Sequence, residues 1–98
     1  MEFVVRDMQE SVNSLMRRLG YRPAYFQKKE ETSIVRPIGG KDYPRFHLYI
    51  KQRGSDICFN LHLDQKKPSY EGATAHSGDY EGPVVKGELE RIKSILQE

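Results

Sequence analysis

Two runs of alternating residues near the middle of the chain constrain its fold more than any other feature. Apolar residues occupy every second position in 46–51 and again in 57–63. Such alternation is typical of strands that bury only one face. Because Gly54 and Ser55 between the two runs suit a tight turn, the sequence predicts a β-hairpin.

The same alternation sets the register of this hairpin. If Gly54 and Ser55 form the loop, Arg53 pairs with Asp56, and every apolar residue of the first strand then faces an apolar residue of the second. A slip of one residue would turn a whole strand over, so this register is strongly preferred. The other face collects the polar residues and the cysteine: Arg45, His47, Tyr49, Lys51, Cys58, Asn60, His62 and Asp64.

A helical period precedes the hairpin. Apolar residues with helical spacing predict a helix that ends at Gly20; they are Met8, Val12, Leu15, Met16 and Leu19. Asp7 and Glu10 fit a capping box at its start. Since Val4 and Val5 extend the apolar stripe backwards, a start near Glu2 is the alternative.

A second helix is predicted at the end of the chain. Pro83 suits its first position, and its apolar stripe consists of Val85, Leu89, Ile92 and Leu96. Glu88 and Arg91 are three residues apart, which predicts an ion pair of small energetic value on the helix surface.

The remaining segments complete the predicted fold class. Residues 24–29 and 32–38 have strand-like composition and form either one long strand or a hairpin. Residues 65–82 show no period, and a loop of this length in a small domain is often functional. Because each helix has one apolar stripe and the sheet one apolar face, we expect an α+β two-layer sandwich. Its order is helix, antiparallel sheet of three to four strands, long loop, helix.

Length and composition limit the class of protein. Residues 1–98 are expected to form a single α+β domain. The net charge of +2 neither requires nor excludes a nucleic-acid partner. No apolar run is long enough to span a membrane, and the start of the chain lacks the pattern of a signal peptide. Since the single cysteine, Cys58, has no partner for an internal disulfide, we expect a cytoplasmic protein.

The polar face of the hairpin is the strongest candidate site. Opposed residues have Cβ atoms about 5 Å apart, so His47 and His62 come into contact, with Asp64 on the same side. The long loop begins beside them and carries His76. These four residues are the predicted ligands of a metal ion, with zinc as the expected one, or of a phosphate-type anion. The expected supporting residues are Arg45, Tyr49, Lys51 and Asn60 on the sheet and Tyr70, Asp79 and Tyr80 in the loop.

Two other functions suit the same residues, so the sequence leaves open whether the protein is an enzyme. Paired histidines beside Lys51 or Arg45 suit RNA cleavage, and Tyr49, Tyr70 and Tyr80 suit RNA binding by stacking on bases. The other option is a protein-interaction module, a homodimer included, that uses the open sheet edge or the tyrosine-rich loop. The partner is then RNA, a small anionic ligand or a protein, and no membrane partner is expected.

Two resemblances add to these predictions. The segments LHLDQKKP (61–68), AHSGDYEG (75–82) and ELERI (88–92) resemble a family of small uncharacterised microbial proteins, which implies no known activity. The order of helix, strands and final helix resembles the double-stranded-RNA-binding fold and the HicA-type toxins that share it. Because the Gly-Ser-x-His motif of those toxins is absent from 32–35, no catalytic residue is carried over.

Overall fold

The structure, a computed structural model, describes residues 1–65, 78–79 and 82–97. These residues form two helices and one antiparallel sheet, joined by turns and loops. In chain order the elements are β1 (Glu2–Val5), α1 (Val12–Leu19), β2 (Arg22–Pro23), β3 (Thr32–Pro37), β4 (Arg45–Arg53), β5 (Asp56–Asp64), β6 (Gly78–Asp79) and α2 (Pro83–Leu96). The strands lie in the order β1-β5-β4-β3-β2, and β6 pairs with β5. The predicted α+β sandwich is confirmed, with more strands than the three to four expected.

The central hairpin of β4 and β5 has the predicted register. All nine residue pairs agree, from Arg53 opposite Asp56 to Arg45 opposite Asp64. Gly54 adopts a φ of +63° in the turn, a conformation that costs glycine little. The register follows from burial together with the turn: a slip of one residue would turn the apolar side chains of one strand to the other face, and the tight turn at Gly54 excludes longer slips.

That apolar face forms the core together with both helices. Strand residues of the core, such as Leu48, Phe59 and Leu61, are in one cluster with Leu15 of α1 and Ile92 of α2. Full burial of one such side chain contributes about 1.5–3 kcal/mol to the free energy of unfolding. Neither described helix is long and apolar enough to cross a membrane.

The first residues of the chain form strand β1, so the alternative helix start near Glu2 is wrong. β1 pairs with β5, and the ring of Phe3 stacks on that of Phe59 with centroids 4.7 Å apart. The predicted cap at Asp7 is also wrong. Asp7 has a φ of 54°, and the residue that caps α1 is Ser11, whose hydroxyl accepts a hydrogen bond from Ser14 N at 3.2 Å.

The segment before β4 is a hairpin, as one of the two alternatives predicted. β2 and β3 pair antiparallel, but the first arm lies at 22–23 instead of 24–29. Beyond that short arm the side chain of Gln27 replaces strand pairing. Its amide donates to Ala24 O and Ser33 O and accepts from Ser33 N, at distances of 2.8–2.9 Å.

Glu88 is buried, which corrects the prediction of a surface ion pair. Its carboxylate accepts hydrogen bonds from both Arg36 and Arg91 and from the hydroxyl of Tyr21 at 2.6 Å. Burial raises the pKa of Glu88, but these hydrogen bonds outweigh that effect and lower the pKa to about 2. Arg91 also donates to Leu19 O at 2.7 Å. The network therefore joins β3, α2 and the end of α1.

A candidate metal-binding cluster on the polar sheet face

Three of the four predicted metal ligands come together on the polar face of the central hairpin. His47 on β4 lies directly opposite His62 on β5, and Asp64 follows two residues later on β5. One ligand atom from each of the three lies within 4.8 Å of the others. The strand register produces this arrangement, because residues two apart on a strand project to the same side.

Asp64 connects the two imidazoles. One of its carboxylate oxygens accepts a hydrogen bond from His47 Nδ1 and the other from His62 Nε2, each at 2.9 Å. The three residues are only 6–9% exposed. A small ion can reach such a buried cluster more readily than a bulky substrate.

The carboxyl group of Asp64 is ionised despite its burial. Burial alone raises the pKa of Asp64, but the hydrogen bonds from His47 and His62 outweigh it and hold the pKa well below its usual range. Arg45 adds a longer contact, with its Nε 3.4 Å from the same carboxylate. The ionised carboxylate of Asp64 is therefore the anionic donor of the cluster, and the guanidinium of Arg45 compensates part of its charge.

Ser33 belongs to the cluster, although the sequence analysis did not identify it. Its hydroxyl makes a hydrogen bond with His47 Nε2 across the β3–β4 pairing. In the neutral imidazole, Nδ1–H donates to Asp64, so Nε2 accepts from Ser33. The strand-like composition of 32–38 was the available signal, but it places Ser33 near His47 only once the register of β3 against β4 is known.

Tyr49 covers the imidazoles. Its ring stacks on that of His47 with centroids 4.2 Å apart and an interplanar angle of 20°, and lies 5.0 Å from the ring of His62. The two imidazole rings are themselves 5.1 Å apart. This aromatic packing restricts the orientation of both histidines.

Other predicted site residues lie outside the cluster or outside the described residues. Lys51 approaches Glu31 at 3.8 Å, and the Asn60 amide contacts Glu2 at 3.5 Å. For Asp79 the structure describes only the backbone, which pairs with Leu63. Three predicted site residues lie outside the described ranges: Tyr70, His76 and Tyr80.

Comparisons of the chain with protein-family models, with curated proteins and with solved structures gave no match. The resemblances to a microbial family and to the double-stranded-RNA-binding fold therefore stay predictions. The geometry of the cluster is the basis for a functional proposal.

Proposed function

We propose that the protein binds a divalent transition-metal ion, with zinc as the best match, through His47, His62 and Asp64. The observation that carries this proposal is the convergence of two imidazoles on one ionised, buried carboxylate. Two nitrogen ligands and one oxygen ligand are a common zinc donor set, and a fourth position then remains for water or substrate.

The spacing of the donor atoms supports coordination. Ligand atoms around a tetrahedral zinc ion lie about 3.3 Å apart, as follows from bond lengths of about 2.0–2.1 Å. In the cluster, His47 Nδ1 and His62 Nε2 each lie 2.9 Å from a carboxylate oxygen of Asp64. All three ligand atoms lie within 4.8 Å of one another, so coordination requires side-chain movements that bring them to tetrahedral spacing and no change of the strands.

The contact of Ser33 with His47 supports the same function. When Nδ1 of His47 binds a cation, its proton has to move to Nε2 or leave. A hydroxyl group accepts a hydrogen bond as readily as it donates one, so Ser33 then accepts from Nε2–H. Hydrogen bonds of this kind orient histidine ligands and raise their affinity for the metal.

A cation suits this cluster better than the alternatives named from the sequence. A phosphate-type anion would meet the negative charge of Asp64. RNA cleavage requires His47 and His62 to reach a phosphodiester, whereas both are more than 90% buried. We further propose that His76 or water completes the shell and that the protein acts in the cytoplasm, since its only cysteine is unpaired.

The test is calorimetric titration with zinc, together with visible absorption of the cobalt complex. We expect one equivalent to bind to the wild type. Because Asp64→Asn keeps the shape but removes the anionic ligand, it should weaken binding on the order of 100-fold or more. Circular dichroism of each variant checks that it is folded.

Cys58→Ser provides the matched control. Cys58 is a zinc-ligand residue type on the same strand and face, but it lies outside the cluster. Its replacement should leave zinc affinity unchanged. The proposal is wrong if the wild type takes up no zinc, or if Cys58→Ser and Asp64→Asn weaken binding equally. His76→Ala tells whether His76 or water completes the shell, because only a ligand role lowers the affinity.

A further inference from the structure

Two adjacent aromatic side chains project from the surface between β2 and β3. Tyr25 is 92% exposed and Phe26 75% exposed, and their rings meet edge to face with centroids 4.9 Å apart. Neither belongs to the hydrophobic core. Since exposed rings contribute little to folding, such a pair on the surface indicates a site for a partner.

The side chain of Gln27 keeps these two rings outside the sheet. Ala24 still pairs with Ser33 through its backbone, and the Gln27 amide then takes up the hydrogen-bonding groups of Ser33. Residues 25 and 26 are therefore left out of the strand pairing. Their backbone is anchored on both sides, so the rings are presented from a defined base.

A basic groove of about 860 Å³ begins at Gln27, the residue that follows this aromatic pair, and lies between residues 27–32 and 50–53. Four cations line it, Lys28, Lys29, Lys51 and Arg53, against the two carboxylates of Glu30 and Glu31. Lys51 approaches Glu31 at 3.8 Å. No carboxylate of the described residues lies within 4 Å of the other three cations.

We propose that the aromatic pair and this groove bind a single-stranded nucleic acid. Unpaired bases stack on exposed aromatic rings, and the phosphates that follow them require cations within a few ångströms. Tyr25 and Phe26 supply the first element, and Lys28, Lys29 and Arg53 supply the second. A duplex keeps its bases inside the helix and offers no ring face, and an acidic peptide offers charge without flat bases.

Fluorescence anisotropy with a labelled oligouridylate and a labelled oligothymidylate tests this proposal. We expect salt-sensitive binding to the wild type. Each base that stacks on a ring raises affinity severalfold to more than 100-fold, so Tyr25→Ala with Phe26→Ala should lower affinity at least about 10-fold. Because both rings lie outside the core, this double variant should unfold at the same urea concentration as the wild type.

Charge variants test the groove separately. Lys28→Gln with Lys29→Gln should reduce the slope of log affinity against log salt by about 1.4, since each contact to a single-strand phosphate contributes about 0.7. Val84→Ala with Lys86→Gln is the matched control. It changes an exposed apolar and an exposed basic residue of α2, and it should leave both affinity and slope unchanged.

Four results would overturn the proposal. These are no binding at low salt, equal affinity of the wild type and the aromatic double variant, tighter binding of a duplex of the same length, and equal weakening by the control. Binding of a polyglutamate peptide or an anionic vesicle in place of the oligonucleotides would also overturn it, and would assign the surface to another class of partner.

Discussion

Ser33 lies on β3 with its hydroxyl against His47 Nε2, and this contact determines which nitrogen of His47 faces Asp64. The chain of hydrogen bonds from Ser33 through His47 to Asp64 has the connectivity of a Ser–His–Asp catalytic triad. A nucleophile has to meet its substrate, however, and the side chain of Ser33 is buried, with only 5% of the residue exposed. We therefore assign Ser33 a positioning role for His47.

Replacement of Ser33 by alanine tests this role. Loss of the hydroxyl removes the partner of His47 Nε2, so zinc affinity should fall by about 10- to 100-fold, the usual effect of such outer contacts. Ser33→Thr keeps a hydroxyl and suits a strand, so it should restore most of the affinity. Nitrogen chemical shifts of His47 report its tautomer directly. Unchanged shifts and unchanged affinity in Ser33→Ala would contradict the positioning role.

The sequence predicted which residues face each other within the β4–β5 hairpin. It did not predict the hydrogen-bond partners that His47 and Glu88 have on other elements. His47 and His62 could be placed opposite each other because alternation and a tight turn together allow one register. Ser33 could not be placed beside His47, because residues 38–44 connect β3 to β4 without any alternation that sets their register. Glu88 was misjudged for a similar reason, since its partners Tyr21 and Arg36 come from distant segments.

Helix α1 begins where a single side chain accepts a backbone hydrogen bond. Ser11 has extended backbone geometry, and its hydroxyl accepts from Ser14 N. The helix ends at Gly20, whose φ of +81° suits glycine best. The end of the helix was predictable because Gly20 follows the last apolar residue of the stripe, whereas two acidic residues upstream suggested a different start.

Substitution at the two candidate caps distinguishes them. Ser11→Ala should lower the free energy of unfolding by about 1 kcal/mol, because Ser14 N loses its partner. Asp7→Asn should change it by less than about 0.5 kcal/mol, since asparagine tolerates the positive φ of Asp7 and no cap bond is lost. Urea unfolding followed by circular dichroism measures both. Because asparagine also caps helices, Ser11→Ala is the deciding variant, and an unchanged free energy of unfolding in it would contradict the observed cap.

Strand β1 shows why element type was ambiguous at the start of the chain. Phe3 and Val5 alternate, as in a strand, but Val4 and Val5 also continue the helical stripe that begins at Met8. Tertiary pairing decides between the two periods, because β1 occupies the edge of β5 and Phe3 stacks on Phe59. Local periodicity carries no information about such a distant partner.

Across the whole molecule, the Glu88 carboxylate is the point where separate elements are joined. It lies on α2, accepts from Arg36 on β3 and from Tyr21 just after α1, and shares Arg91 with the last carbonyl of α1. A buried carboxylate held in this way stabilises the fold only while it is ionised.

Low pH should therefore lower the free energy of unfolding through protonation of Glu88. Its pKa is about 2 in the folded protein, against an ordinary 4.5. A lowered pKa contributes stability that is complete above pH 5 and is lost between about pH 5 and pH 2, by about 3 kcal/mol in total. Urea unfolding at pH 7, 5 and 3 measures this loss.

Glu88→Gln is the reference for that experiment. The amide has nearly the same shape but cannot ionise, so the variant should be less stable at pH 7 and the difference from the wild type should shrink at pH 3. Curves that run parallel from pH 7 to pH 3 would show that another carboxylate is responsible. Asp64 is the other buried carboxylate with a strongly lowered pKa among the described residues.

The amide of Gln27 also affects how copies of the protein behave at high concentration. Sheets grow into aggregates when an exposed edge strand offers free backbone groups to a strand of another molecule. At Ser33 both backbone groups are already engaged by Gln27, and Pro23 in the short outer strand has no N–H to offer. A second copy could add a strand here only by breaking these bonds, so the side chain that presents Tyr25 and Phe26 also protects this edge from polymerisation.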